Sequence, residues 1–306
     1  MSPEQLAQVR AQLAEVTQQV NTRLRGRLIT PDQTQEIMGD RLFRGADAAN
    51  KLYGTNLTPD IVAQIPFKFT EAEAQNALGL GTPISLHVKE FGQGKDARPA
   101  TMLNLNDHVA GTALYEVTSS WYKDEDFAKK IADNFEWRQT TADVVPGTLG
   151  EDFLVRTDLT IKYLREEFFK GLPLPAHYEQ AIQEWNAERP NIEPLVKNWS
   201  EAHKTEKLPN GKPAPNWYIA AKMLEKLQIV QLLRPTPTSI LQDITNAKAA
   251  GIPMLQDTYT DTSVLDSNGC VVIVGSADSS GAGVRSYYPH SRAGLLGSSL
   301  SRGLSE

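Results

Sequence analysis

The sequence predicts an α+β protein, on three observations. Apolar residues recur at helical spacing in the first quarter of the chain and again between about residues 150 and 250, and two short segments alternate apolar with polar residues. An Asn-Gly turn then leads into an unbroken apolar run, Cys270-Val271-Val272-Ile273-Val274. With 306 residues, 40% hydrophobic and 22% charged, the chain can bury a sizeable core and has an ordinary globular composition.

Taken in order, Ser2 caps a helix with Pro3 at its first position. Its stripe Leu6, Val9, Leu13, Val16, Val20, Leu24 docks on the protein body or forms a self-association seam. Thr30-Pro31-Asp32, Thr58-Pro59-Asp60 and Thr70-Glu71 open further helices, so residues 1–80 read as a helical segment. Ile84–Val88 and Leu114–Val117 alternate as strands, and Val144-Val145-Pro146-Gly147 marks a turn. Leu154, Ile161, Leu164 and Phe168 share one helical face that Gly171 and Pro173 end, and Tyr178, Ile182 and Trp185 begin the next helix. Ala220, Met223, Leu224, Leu227 and Val230 predict a single stripe stopped at Arg234-Pro235. Thr236-Pro237 opens a helix that closes at Gly251. Asp266-Ser267-Asn268-Gly269 is a hairpin turn, and the run after it has the pattern of a strand buried on both faces.

Several function classes lack support. A net charge of −6 provides no general basic field for nucleic acid or an anionic membrane. Cys270 is the lone cysteine, so no disulfide framework or four-cysteine zinc site exists. No apolar run approaches the roughly 20 residues that span a bilayer, and Met1-Ser2-Pro3-Glu4 does not open a signal peptide. The expectation is a protein made in the cytoplasm, with surface display by another route left open. No GxSxG, P-loop, HExxH or GxGxxG motif occurs in a fitting context, and the five histidines are scattered. Asp257, Asp261, Asp266 and Asn268 fit no EF-hand spacing and read as a solvated acidic turn, while Glu166-Glu167 reads as a charged helix face. Neither catalytic residues, a cofactor nor a metal is expected.

The end of the chain departs from the rest. Lys, Glu, Gln, Trp and Met make up roughly one residue in four as far as Gln256, and none occurs from Asp257 to Ser305. Val271–Val274, Val284, Tyr287-Tyr288 and Leu295-Leu296 argue against a flexible linker. The five missing types share one property: none can be encoded with a pyrimidine at the third base. The types that fill the segment all can.

The stretch from Val274-Gly275-Ser276-Ala277-Asp278 through Val284-Arg285-Ser286-Tyr287-Tyr288-Pro289 to Leu296-Gly297 and Arg302 resembles the variable region of target proteins of diversity-generating retroelements. In that family, a reverse transcriptase that errs at adenines turns Asn codons of a template into a mixture of residues. The resemblance implies that the variable, ligand-contacting places are Ser276, Gly283, Arg285, Ser286, Tyr287, Tyr288, Ser291, Ala293, Gly294 and Leu295, with Ser280 and His290 less firmly aligned. Gly275, Asp278, Gly281, Val284, Pro289, Arg292 and Gly297 fall on the fixed places.

The resemblance further implies a C-type lectin fold of the formylglycine-generating-enzyme type over residues 81–306, with a helical insertion at about 150–250 and a variable region at 271–302. It implies a non-enzymatic binder of an unknown protein or cell-surface ligand. An enzyme on the same fold, and an assembly protein working through its N-terminal helix, are the alternatives. Many relatives carry Trp after the Tyr-Thr pair where this chain has Asp261, so packing there should differ. Tyr287 and Tyr288 are expected to be the main contact residues and to be replaceable together by Ala within about 1 kcal/mol of stability.

Overall fold

The computed structural model describes residues 58, 65, 76, 84–88, 90–91, 98–99, 135–250, 253–266, 268–278 and 281–303, all within one compact unit, Arg41–Glu306. The N-terminal helix, the helix starts at Thr30 and Thr70 and the strand at Leu114–Val117 lie outside the described residues, as does Ser280. The described chain is a mixed α+β arrangement.

Two sheets carry the described tail. Strand β1 (Ile84–Val88) appears where its alternation predicts it; β2 (Glu90–Phe91) and β3 (Arg98–Pro99) form a small ribbon beside it in sequence. Strand β4 (Phe135–Thr140) pairs antiparallel with β1, Leu86 opposite Trp137.

Asp152 then caps α1 (Phe153–Tyr163), its carboxylate accepting from the Val155 N–H at 3.1 Å. The helix widens into a π-turn over Leu164–Phe168, closed by the Phe169 N–H on the Leu164 carbonyl, and the predicted stripe is buried throughout. Helix α2 (Ala176–Lys197) runs on through Pro190 and Pro194. Both prolines lie on its exposed side, where water can take the freed carbonyls. Strands β5 (Ala202–Lys207) and β6 (Pro213–Pro215) form an exposed hairpin.

The single stripe predicted from Ala220 to Val230 is in fact two helices. Leu227 takes an extended conformation between α3 (Asn216–Lys226) and α4 (Gln228–Leu233), which lets Leu224, Leu227, Ile229 and Val230 all reach the same core. Helix α5 (Pro237–Ala250) follows as predicted.

Strand β7 (Tyr259–Leu265) and β8 (Val271–Asp278) make the expected hairpin: Gly269 has φ +84°, and the Asp266 carboxylate accepts from the N–H groups of Asn268 and Cys270, each at 2.9 Å. Strand β9 (Gly281–Tyr287) pairs with β8 at the sheet edge. Strand β10 (Leu296–Gly297) lies parallel to β7 on the other side, and β11 (Ser301–Gly303) crosses to pair with β4. The tail thus ties both sheets together. It is folded structure, with Val271–Val274, Leu296 and Leu300 buried.

Asp261 overturns the solvated-turn expectation. It sits on β7, wholly buried, between two buried guanidiniums: Arg156 at 3.0 Å and Arg234 at 3.3 Å, with the Ser298 hydroxyl donating at 2.6 Å. Thr157 and Thr160 accept from Arg234, and both arginines lie over the Phe153 ring. Burial pulls the Arg234 guanidinium down to about 10, Asp261 opposing that and Arg156 adding to it. A tryptophan at 261 would leave two buried arginines without a counter-charge, so the departure noted in the sequence carries its own compensation.

Candidate functional site

The tail segment after β8 is held to the body through groups that do not depend on the identity of a variable side chain. The Phe153 N–H at the start of α1 donates to the Pro289 carbonyl at 2.9 Å, and Arg156 donates to the carbonyls of Ser291 (3.3 Å) and Glu151. Tyr259 N–H bonds the Leu295 carbonyl, and Gly150 N–H the Leu296 carbonyl. The side-chain clamp comes from a fixed place, Arg292 donating to Asp152 at 2.7 Å. Backbone oxygens are present whatever residue occupies 291 or 295, so this clamp survives substitution there.

Burial follows in part the division that the resemblance implies. Of the twelve variable places eleven are described, and none of them is buried: Arg285, Ser286, Tyr288, Gly294 and Leu295 are exposed, the others half-buried. Among the fixed places Gly275, Pro289 and Gly297 are buried, Val284 is half-buried and Arg292 is exposed. Gly275 has φ +155°, and a Cβ on it would lie 2.1 Å from the Thr258 carbonyl oxygen. On Gly297 a Cβ would meet Val144 at 2.7 Å. Neither position has room for a side chain.

Two variable places behave differently from the sequence expectation. Tyr287 is half-buried and packs against Tyr259, Ile273 and Leu296, so it is partly a core residue. Gly283 stands opposite Gly275, and the Tyr259 ring occupies the space beside it: a Cβ would come 2.7 Å from the Tyr259 hydroxyl. Arg285, two residues along the same side of β9, lays its guanidinium 5.3 Å from the centre of that ring. Tyr287→Ala is therefore expected to lower stability by about 2 kcal/mol and Tyr288→Ala, which loses only exposed ring contacts, by about 1 kcal/mol in urea unfolding. Equal losses would mean that the two side chains are not divided between core and surface.

Ser276 has φ +49°. Asn is among the few residue types other than Gly that tolerate this left-handed conformation well. The Asn that the resemblance assigns to the template at this place would suit the backbone better than the serine present.

The described residues expose four large hydrophobics, Leu149, Trp199 and Tyr288 at 44% and Leu295 at 60%. All four border the segment. Tyr288 and Leu295 are variable places, Leu149 precedes Gly150, which lies against Gly294, and the Trp199 ring is stacked on His290 at 4.1 Å. Exposed apolar side chains grouped in this way make the segment the candidate interaction surface. Sequence reasoning missed Leu149, Trp199 and Trp217 as parts of it. The available signal was the Asn210-Gly211 pair, a hairpin turn between polar segments that brings the two tryptophans to one end.

The other acidic candidates of the sequence are engaged within the protein. Asp261 and Asp266 are engaged by protein donors, and Lys162 with Glu166 and Lys170 with Glu167 form exposed pairs along the helix face, as predicted. Among the described residues no group of three or more His, Cys, Asp or Glu side chains is disposed to hold a metal ion, and no helix is long and apolar enough to cross a membrane. Comparison with protein-family models, with curated proteins and with solved structures finds no match for this chain.

Proposed function

We propose that this chain is a ligand-binding protein diversified by a retroelement, which presents variable side chains on a rigid scaffold of the C-type lectin type to a protein or cell-surface ligand. The observation that carries the reading is the coincidence of two independent divisions. One is the alignment of fixed and Asn-derived places, which the family resemblance implies; the other is burial, which leaves no described variable place fully buried. A surface that is rewritten by mutagenesis needs that division, because a buried side chain changed at random costs several kcal/mol while an exposed one costs little.

The composition of the face fits binding. Tyr288, Leu295 and Arg285 offer rigid amphipathic, apolar and charged contact area on the exposed side. Tyr287 contributes through whatever part of its ring remains accessible.

The test is a displayed library of the full chain. Codons of any base, any base, then pyrimidine are placed at Arg285, Ser286, Tyr288, His290, Gly294 and Leu295. A matched library carries them at Gly275, Pro289 and Gly297. Protease resistance is expected to persist in most members of the first and to be lost in most of the second. Comparable losses in both would remove the basis for a diversified face.

A further inference from the structure

Besides the clamp at the start of α1, the helical insertion meets the variable segment through a row of aromatic rings, Trp199, His290, Tyr288 and Trp217. Trp199 follows the Asn198 cap of α2, and Trp217 lies at the start of α3. The two are held together at the base of the β5–β6 hairpin, with the Trp217 N–H donating to the Trp199 carbonyl at 3.1 Å. On either side, the Asn216 N–H donates to the Glu201 carbonyl at 2.8 Å and the Asn216 side chain to the Asn198 carbonyl at 2.9 Å.

The variable segment supplies the other two rings. His290 is stacked on Trp199, with ring centres 4.1 Å apart and planes 10° from parallel. Tyr288 lies parallel to His290 at 5.3 Å and 9°, and it presents an edge to Trp217 at 4.8 Å and 64°. The Tyr288–His290 and Tyr288–Trp217 distances are within the range in which aromatic pairs attract beyond simple area burial, and the Trp199–His290 stack is closer still.

We propose that Trp199 and Trp217 are fixed positioning residues of the binding face, a pair of indoles that selects planar side chains at the variable places 288 and 290 and sets their orientation. The inference rests on the reading of Tyr288 and His290 as contact residues; the stacking it requires is measurable without a ligand. Its physical content is pre-organisation. A flexible ring loses rotamer freedom on binding, and a ring already held between two others has less to lose. Codons ending in a pyrimidine include those for Tyr, His and Phe, so diversification supplies planar partners at both places. With Ser or Asp there, the indoles have no ring to hold.

Burial between these rings explains a second property. The His290 pKa lies below that of free imidazole, burial being the cause, and its Nδ1 is buried without a hydrogen-bond partner. The side chains stacked on it, Trp199 and Tyr288, carry no charge at neutral pH. Protonation therefore places a charge on a half-buried ring with no anion stacked on it.

The experiment is an NMR titration of the imidazole signals of the full chain, with His290 assigned by its loss in H290N. In the native protein the His290 ring protons are expected to be shifted upfield of their position in urea, as protons over an indole face are. Their titration midpoint is expected below that of the unfolded chain. Trp199→Ala should move both toward the unfolded values, and Trp199→Phe should retain most of each shift.

An unshifted His290 in the native protein, or the same shifts and midpoint in a folded Trp199→Ala variant, overturns the proposal. So does a Phe variant that behaves like the Ala variant. If Trp199→Ala does not fold, the native spectrum and the Phe variant decide. None of these outcomes bears on whether the tail is diversified, so the two readings fail separately.

Discussion

Replacing Asp261 with alanine is expected to remove about 3–5 kcal/mol of folding stability, because it strands two buried cations at once. Arg156 and Arg234 are both buried, and the Asp261 carboxylate is the anion they share. Without it two guanidiniums would remain in a space that water does not reach, and the Ser298 hydroxyl would lose its acceptor. The effect should reach the tail as well. Arg156 also donates to the Ser291 carbonyl and Arg234 to the hydroxyls of Thr157 and Thr160 on α1, so the carboxylate holds the elements that clamp the variable segment. Urea unfolding monitored by far-UV circular dichroism measures the loss. Asp261→Asn, which keeps the shape and loses the charge, should fall between the native protein and the alanine variant. A change under about 1 kcal/mol for Asp261→Ala would show that the arginines find another partner or reach solvent.

Gly275→Ala is expected to cost about 3 kcal/mol, because strain and overpacking act together there. The conflict is between backbone and Cβ, with the Thr258 carbonyl oxygen at 2.1 Å and the Tyr259 Cα at 2.7 Å, so no rotamer relieves it. Moving β7 aside would break the bond from the Ser276 N–H to the same carbonyl. The contrasting change is Gly294→Ala, at a variable place where an added Cβ meets nothing within 4 Å; it should leave stability within about 0.5 kcal/mol. Thermal unfolding of the pair reads the difference directly. Equal melting temperatures would mean that fixed and variable glycines are not structurally distinct.

Elements whose stability comes from their own residues were legible in the sequence. The stripe from Leu154 to Phe168, the caps at Thr236-Pro237 and the Asp266–Gly269 turn each combine a local backbone preference with a buried face, and each forms as read. What escaped depends on partners distant in the chain. Nothing near Leu227 in sequence announces the break between α3 and α4, because the break serves a core assembled from α1 and α2 as well. Asp261 read as an exposed acid because its two arginines are far away in the sequence, and Trp199 could not be linked to His290 for the same reason.

The candidate face was legible to a similar degree. The family resemblance separated fixed from variable places, and burial follows that separation at Gly275, Pro289, Gly297, Tyr288 and Leu295. It departs at Arg292, a fixed place that is exposed, and at Tyr287 and Gly283, which face Tyr259. That residue lies upstream of the aligned segment, so a pattern read within the segment does not include it.

The central claim is that the exposed half of the tail is rewritten while the buried half is kept. Sequencing the DNA that flanks the coding region tests it most directly. The account predicts a second, near-identical copy of the stretch encoding about Val271 to Arg302, beside a reverse-transcriptase gene. The copy should carry Asn codons at places such as Ser276, Arg285, Tyr287, Tyr288 and Leu295, differ from the coding region only at adenines, and match it at Gly275, Pro289 and Gly297. No such copy, or one whose differences fall as often on the buried glycines as on the exposed tyrosine, would contradict it.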